Sequence, residues 1–260
     1  MLGFDVEEFD LPIEYGKTIS FNDQITISTT GTLNVLALLR KHEIKATFYC
    51  TANYALNKPD IISEIVAEGH EIASHGYYHS DFRIEHLKQS KDLLANISNT
   101  EITGYRMARM MKVDELEIKN AGYLYNSSLN PTWLPGRYNN FNKPRAYFFE
   151  KGVLQIPASV TPLIRFPLFW LTFHNISLPI ITWLANSTIN TDGYLNLYFH
   201  PWEFIELHGN KSLGLPSYIS KNTGQVFINK VSDFIVWGKQ KGYQFKKTNE
   251  FAKSIYNETT

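Results

Sequence analysis

Residues 69–79 read Gly-His-Glu-Ile-Ala-Ser-His-Gly-Tyr-Tyr-His, and the interpretation of the whole chain starts from them. The run His70–Ser74 is predicted to be a β-strand, and it is followed by His75 and His79, four residues apart. Positions i and i+4 share one face of a helical turn, so both imidazoles can reach one metal ion. With eight histidines in the chain, such a pair is a weak signal by itself. The prediction of a metal site therefore depends on the residues at the ends of the other strands.

The alternation of β-rich runs with helical patterns extends over most of the chain. The predicted strands are Leu2–Val6, Lys45–Cys50, His70–Ser74, Ile102–Met107, Leu154–Ile156, Tyr194–His200 and Tyr243–Lys246. The predicted helices are Gly31–Lys41, Pro59–Glu68, Ile84–Ile97, Val113–Asn120 and Gln225–Lys241. This order predicts parallel strands joined by helical crossovers. We expect an α/β fold: a distorted (β/α) barrel with about seven parallel strands, formed by residues 1–260 as a single domain with long loops.

Three stretches interrupt the alternation. Residues 8–30 and 126–150 are rich in Asn, Thr, Gly and Pro, and are predicted to be long loops that wall a substrate groove. The apolar insertion near 160–185 is too interrupted by polar residues and prolines to span a membrane. Its first interpretation is helices packed on the barrel, and its second is a surface that contacts a membrane or a lipid carrier.

Composition excludes several classes of function. The 25 basic and 25 acidic residues balance, which gives no electrostatic case for binding nucleic acid or an anionic surface. Cys50 is the only cysteine and lies in an apolar run, so it is interpreted as a core residue. The first predicted strand begins at Leu2, without room for a secretory signal of about 15–30 residues. This predicts a cytoplasmic protein, with the inner face of the membrane as an alternative location; the sequence indicates no oligomeric state.

Acidic residues at the end of the first strand supply a third metal ligand. Strand periodicity places Asp5 and Glu7 on one side and the apolar Val6 on the other. Two acids at a buried strand end are costly unless a cation or an acid–base role compensates them. The loops after parallel barrel strands converge on one face, where Arg106–Arg109 and His200–Glu203 are also expected.

Two histidines and one carboxylate leave coordination positions open, as a catalytic metal site requires. No thiolate is available as a ligand, which leaves zinc, cobalt, nickel or another divalent ion, and zinc ranks first.

These residues resemble the motifs of the polysaccharide deacetylase family, also called the NodB-homology or carbohydrate esterase family 4 domain, over nearly the whole chain. Ser74-His75-Gly76-Tyr77-Tyr78-His79 matches its Ser-His-Gly-x-x-His motif, which implies His75 and His79 as metal ligands. Phe4-Asp5-Val6-Glu7-Glu8 is similar to the branch in which one residue separates the acids. The resemblance implies Asp5 as the general base and Glu7 as the third ligand.

Two further motifs extend the resemblance. Gly104-Tyr105-Arg106 fits the motif whose arginine orients the catalytic base. Tyr198-Phe199-His200-Pro201-Trp202-Glu203 resembles the form found in deacetylases of surface-polysaccharide gene clusters and implies His200 as the general acid. A structural ion pair for Arg106 and a core position for His200 remain alternatives.

Two positions depart from the family pattern. Met107-Ala108 stands where a proline usually follows the arginine, and Asn126 stands where an aspartate is common in that branch. Asn126, Tyr77 and Trp202 are candidate substrate-binding residues, the two aromatics by stacking on sugar rings. Core or rim packing is the alternative for both aromatics.

The resemblance implies a metal-dependent hydrolase that removes an N-acetyl or other N-acyl group from an amino sugar of a glycan or glycan precursor. The expected partner is a carbohydrate, either free or linked to a lipid or a nucleotide, and no nucleic acid. Two alternatives remain: a deformylase of a lipid-linked amino sugar, and a glycan-binding homologue with impaired catalysis.

Overall fold

The computed structural model describes residues 1–259. The strands are β1 (Leu2–Val6), β2 (Thr47–Cys50), β3 (Glu71–Ser74), β4 (Gly104–Tyr105), β5 (Tyr125–Asn126), β6 (Trp133–Leu134), β7 (Tyr138–Asn139), β8 (Phe148–Glu150), β9 (Val153–Gln155) and β10 (Leu197–Phe199). The α-helices are α1 (Leu11–Glu14), α2 (Phe21–Lys41), α3 (Ala52–Asn57), α4 (Pro59–Ala67), α5 (Glu85–Ser98), α6 (Glu115–Asn120), α7 (Trp170–Asn175), α8 (Leu178–Asp192), α9 (Ser217–Ser220), α10 (Gln225–Gln240) and α11 (Thr248–Thr259). Short 3₁₀ helices cover Ala108–Met110, Pro201–Phe204 and Lys211–Leu213.

Eight strands form one sheet in the order β10-β1-β2-β3-β4-β5-β9-β8. The seven strands from β10 to β9 pair in parallel, and β8 adds an antiparallel edge. The sheet curls into a half-barrel surrounded by helices. This confirms the predicted α/β barrel with about seven parallel strands. Strands β6 and β7 form a separate antiparallel hairpin.

Alternating side chains divide each central strand between two environments. Phe4 and Val6 of β1 belong to the large core that includes the helices, together with Cys50 of β2. Tyr49 of β2 belongs instead to the smaller core inside the barrel, to which α11 contributes Ala252. Burial raises the pKa of the Cys50 thiol, in agreement with its interpretation as a core residue. The same alternation turns the odd-numbered residues of β1 toward the barrel interior.

The prediction of a long loop over residues 8–30 is wrong, because α1 and the first half of α2 occupy most of it. Ser20 caps α2 by accepting a hydrogen bond from the backbone N–H of Asp23 at 3.1 Å. The serines and threonines of this segment concealed its helical spacing. Gly31, the predicted start of the helix, lies in its middle, where the helix crosses the loop after β10. A Cβ on Gly31 would lie only 2.0 Å from the carbonyl oxygen of Pro201, so only glycine permits this approach.

The predicted strand Tyr243–Lys246 is also wrong. Its first residue donates a backbone hydrogen bond to the carbonyl of Gly238, and its ring packs edge-on against Trp237. Phe245 contacts Gly238 as well. The segment therefore folds back along α10 instead of joining the sheet. Strands β5 and β8 were missed because two or three residues are too few to show a period.

The apolar insertion and the stretch before it differ in structure. Residues 126–150 are mostly irregular, as predicted, apart from the hairpin β6–β7 and the edge strand β8. Residues 160–185 form a loop followed by α7 and most of α8. Trp170, Phe173, Ile181 and Ala185 lie in the main core, which agrees with helices packed on the barrel. Within residues 1–259, no helix combines the length and the apolar character needed to cross a membrane.

Candidate metal centre

Three side chains meet at the carboxyl edge of the sheet. Glu7 directly follows β1, and His75 directly follows β3. The Oε2 atom of Glu7 lies 3.0 Å from Nε2 of His75 and 3.1 Å from Nε2 of His79. One possible ligand atom from each of the three residues lies within 4.8 Å of the other two. The structure thus brings together the three residues predicted as metal ligands.

The second nitrogen of each histidine is held by a neighbour. Nδ1 of His75 lies 2.9 Å from the carbonyl oxygen of Arg106, and Nδ1 of His79 lies 2.7 Å from Oδ1 of Asp10. A carbonyl oxygen only accepts hydrogen bonds, so Nδ1 of His75 carries a hydrogen. In the neutral ring, Nε2 then presents a lone pair to the Glu7 carboxylate. Two lone pairs at this distance require a proton or a cation between them, so the donor set fits a divalent metal ion.

Electrostatics hold His79 protonated in the metal-free protein. Burial by itself would lower its pKa, but the negative charges of Glu7 and Asp10 raise the pKa of His79 to about 9. Burial also works against the charge of Asp10, yet its contact with His79 lowers the Asp10 pKa to about 2. Asp10 also accepts hydrogen bonds from Ser80 and from Arg109. The sequence placed Asp10 in the acidic run after β1, but strand periodicity carries no information beyond the end of the strand.

Asp5 lies one layer deeper in the barrel. Nη1 of Arg106 donates to Oδ1 of Asp5 at 2.7 Å, and both side chains are buried. Burial favours the neutral acid, but Arg106, His75 and His200 together outweigh it and lower the pKa of Asp5. The guanidinium carbon lies 3.8 Å from the ring centre of Tyr49, and Nε donates to the carbonyl of Ser127. Gly3 leaves room for this arrangement, since a Cβ there would lie 2.9 Å from Nη1.

His200 follows β10 and is oriented by Glu203. Oε1 of Glu203 accepts hydrogen bonds from the backbone N–H of His200 at 2.7 Å and from its Nδ1 at 2.8 Å. Oε2 lies 3.2 Å from Nε2 of His174, and the Glu203 side chain is fully buried. Burial would lower the pKa of His200, but the hydrogen bond to Glu203 and nearby carboxylates raise it.

Glu203 received no role in the sequence interpretation. The sequence signal for Glu203 was its position three residues after His200. In a capping box, the side chain at this position reaches back to the backbone N–H of the first residue of the turn. The contact with His174 comes from a distant helix, so no local pattern predicts it.

Six of the predicted residues line one cavity, whereas Arg106, Tyr77 and Asn126 do not. Its walls include Asp5, Glu7, His75, His79, Arg137, Tyr138, Trp170, His200 and Trp202. Trp202 lies against His200, with 5.5 Å between ring centres. Tyr77 instead packs on Tyr78 and His86, outside this cavity. Asn126 lies in a neighbouring cavity, where its Nδ2 donates to Oε1 of Gln155 at 3.0 Å. Its place at the end of β5 directs it toward β9 and away from the metal ligands.

The segment that departs from the family pattern has its own structure. Met107 donates its backbone N–H to Oγ of Ser128 at 2.8 Å, a bond that a proline cannot make. Arg109 has a left-handed backbone with φ of 56°, and its guanidinium pairs with Glu14 at 2.6 Å and with Asp10 at 3.2 Å. Arg109 therefore links the loop after β4 to the residue that holds His79.

Parts of this chain are similar in sequence to known proteins. The model of a family described as polysaccharide deacetylase matches residues 17–124. A chitooligosaccharide deacetylase from Bradyrhizobium sp. is 44% identical over 50 residues, which are 19% of this chain and 23% of that protein. The peptidoglycan-N-acetylmuramic acid deacetylase of Bacillus subtilis is 32% identical over 75 residues, 28% of each chain. The matched regions thus span about a quarter of the length of these curated relatives.

The likeness of fold extends much further than the likeness of sequence. The crystal structure of a probable polysaccharide deacetylase from Pseudomonas aeruginosa superimposes with a TM-score of 0.68 at 13% identity. The match covers 99% of this chain and 90% of that one. The family model thus matches residues 17–124, and the likeness of fold to a probable polysaccharide deacetylase covers nearly the whole chain.

Proposed function

We propose that this protein is a metal-dependent hydrolase that removes the N-acetyl group from an amino sugar of a glycan or glycan precursor. The observation that carries the proposal is the meeting of Glu7, His75 and His79 at one sheet edge, in the same cavity as the charged carboxylate of Asp5. The deacetylase relatives act on amino-sugar polymers by their names, which supports the substrate class.

Glu7, His75 and His79 would hold the ion, with zinc as the first candidate and cobalt or nickel as alternatives. A divalent ion there supplies Lewis acidity, which polarises the acyl carbonyl and acidifies water. Within residues 1–259, three ligand atoms converge at this point, which would leave coordination positions open for both.

The remaining steps belong to the protein's own side chains. Asp5 accepts the proton of the attacking water, and Arg106 keeps Asp5 ionised and fixed in place. Water oxygen bonds to the acyl carbon, and the carbon–nitrogen bond then breaks. His200 gives its proton to the departing nitrogen, since an amide anion is a very poor leaving group. Glu203 holds His200 in its protonated form for this transfer. The products are a free amino sugar and the carboxylic acid.

The test uses the purified protein and a set of N-acetylated amino-sugar substrates: oligomers, nucleotide-linked sugars and lipid-linked sugars. We expect acetate release that a chelator stops and added zinc restores. The variants Asp5→Ala and His79→Ala should lose turnover while retaining their circular dichroism spectra. Unchanged rates in either variant would rule out its assigned role.

A second candidate function is deformylation of a lipid-linked amino sugar, which an apolar groove beside the cavity favours. Formate in place of acetate among the products would identify it. The third interpretation, a glycan-binding homologue without turnover, predicts that the purified protein carries no tightly bound divalent ion. The cytoplasmic location stays a prediction.

A further inference from the structure

Loop 162–165 presents two large aliphatic side chains to solvent. Leu163 is 91% exposed and Ile164 is 74% exposed. Backbone hydrogen bonding between Thr161 and Phe166 closes the base of the loop at 2.9 Å. Leu163 and Arg165 both have a left-handed backbone, with φ of 63° and 54°, which bulky residues rarely adopt. Strain of this kind persists only where the surrounding structure imposes it, so the exposed tip is held in place.

The loop is tied to the hairpin β6–β7. The carbonyl of Arg165 accepts a hydrogen bond from Oγ1 of Thr132 at 2.7 Å, and its guanidinium donates to the carbonyl of Pro131 at 3.2 Å. Trp133 follows directly and is 60% exposed. Trp133 and Ile164 line the same open groove. We call Trp133, Leu163 and Ile164 the apolar platform.

The platform lies beside the candidate active site. Trp170 lines the metal cavity, and the next residue, Leu171, lines the groove of the platform. In the same way, Ile219 lines the cavity and Tyr218 lines the groove. The two depressions therefore lie side by side, with consecutive residues of α7 and of α9 in their walls.

Charge is distributed unevenly around the platform, although the chain as a whole is neutral. The groove walls come from residues 132–134, 164–176 and 218, which contain no aspartate or glutamate. Arg165 lines the groove, and Arg137 lies in the same hairpin as Trp133. Further along the chain, Lys143 and Arg145 pair with Glu150 and Asp192. In the part of the chain that the structure describes, neither Arg137 nor Arg165 has a carboxylate within 4.0 Å. The groove and the hairpin beside it therefore present two arginines and no acidic residue.

We propose that the apolar platform docks this protein on an anionic lipid surface, with the platform side chains in the membrane interface and the surrounding basic residues at the phosphates. Tryptophan and aliphatic tips flanked by lysine and arginine are typical of interfacial binding. A second copy of this chain fits the surface less well. A twofold interface would place the same patch against itself and bring its unpaired arginines together without acids between them.

This proposal depends on no catalytic assignment, so its failure and the failure of the proposed hydrolysis are separate results. If both hold, the cavity opens toward the membrane and its glycan substrate is attached to a lipid.

The test is sedimentation of the full chain with vesicles of phosphatidylcholine, alone or mixed with phosphatidylglycerol. We expect binding to the mixed vesicles that weakens as salt is added, because salt screens the headgroup charge. Leu163→Ser with Ile164→Ser should weaken this binding at least about tenfold, given the apolar surface that each side chain would bury. The matched control is Leu56→Ser with Leu116→Ser, which changes two leucines of 48% and 47% exposure away from the platform. Both pairs are exposed, so neither variant should lose its fold.

Three results would overturn the proposal. The first is no sedimentation with mixed vesicles, or equal sedimentation with pure phosphatidylcholine. The second is equal binding by the platform variant and the unchanged protein. The third is a dimer in light scattering that the platform variant alone converts to a monomer, which would assign the platform to a second copy of the chain.

Discussion

Asp5 and Glu71 are both buried carboxylates on strands of the same barrel, yet their surroundings give them opposite charge preferences. In the strand register, Glu71 lies level with Gly3, one layer below Asp5. Asp5 faces the guanidinium of Arg106, which lowers its pKa. Glu71 accepts hydrogen bonds from three neutral donors: the hydroxyls of Thr47 and Tyr125 and the backbone N–H of Asn249. Burial outweighs these donors and raises the pKa of Glu71.

The difference shows that burial of an acid does not by itself indicate chemistry. Glu71 joins β2, β3 and β5 to the first turn of α11, so its partners hold the closed end of the barrel together. Asp5 lies nearer the carboxyl edge of the sheet, with the guanidinium of Arg106 on one side and the predicted metal ligands beyond it. The candidate site differs from the surroundings of Glu71 in that its buried acid, Asp5, has a charged partner.

Replacing each acid by its amide gives the largest expected contrast. Asp5→Asn should lower acetate release about 10²–10⁴-fold, the usual contribution of a general base. Glu71→Gln should leave the rate nearly unchanged, because Glu71 does not line the cavity. Steady-state kinetics on the best substrate, with circular dichroism to verify folding, measure both. Equal losses in the two variants would remove the functional distinction between them.

Glu203 extends the comparison to a third buried acid, which has histidine partners. Glu203→Gln should lower kcat by about 10- to 100-fold with little change in KM, as expected for a group that orients a catalytic residue. Without the negative charge, the pKa of His200 falls, so the alkaline limb of the pH profile should move to lower pH. Glu206→Gln changes an exposed acid three residues further and serves as the control. An unshifted pH profile with normal kcat would show that Glu203 is structural, as Glu71 is.

The pH dependence of zinc affinity tests the assignment of His79 as a metal ligand. His79 must lose its proton to bind an ion, and its pKa is about 9 in the metal-free protein. Below that pH, zinc affinity should fall about tenfold per pH unit, because the proton competes for the same nitrogen. Competition with a chromogenic chelator at several pH values measures this slope. Affinity that does not vary with pH would contradict the assignment of His79 as a ligand.

The smallest effect concerns the stability contributed by Glu71. Its pKa is raised in the folded protein, so the folded state binds the proton more tightly than the unfolded chain. This contribution is fully present below the unfolded pKa of about 4.3 and is lost as pH rises through the folded pKa. In urea unfolding, the unchanged protein should therefore lose stability relative to Glu71→Gln as pH increases, within a span of about 1–3 kcal/mol. A difference that is constant across pH would mean that the pKa of Glu71 is the same in the folded and unfolded states, which would contradict the raised pKa.

Several features of the site were predictable because they follow from short-range geometry. Two-residue periodicity along β1 placed Asp5 and Glu7 on one side. His75 and His79 do meet, but the predicted helical turn was wrong: residues 75–79 form a loop in which Gly76 has φ of 86°. The convergence of parallel strand ends then brought Arg106 and His200 to the same edge. These inferences needed only local patterns and one general property of barrels.

Other features depended on contacts between distant segments. Asp10 holds His79 from 69 residues away, and His174 reaches Glu203 from a separate helix. Asn126 is turned toward β9, because β5 pairs with that strand. Polar composition hid the start of α2, whose helical face became recognisable only against the core. A pattern of consecutive residues does not predict which distant residue a side chain will contact.

The sequence by itself determined the barrel and the identity of the residues at its carboxyl edge, because strand and helix periods and motif spacings are written in consecutive residues. Only the tertiary structure decided their electrostatic states. Whether a buried acid is charged depends on the partner that packing brings within a few ångströms: Arg106 for Asp5, and neutral donors for Glu71. Packing likewise decided that Arg165 lies in a groove without acidic residues, beside the apolar platform.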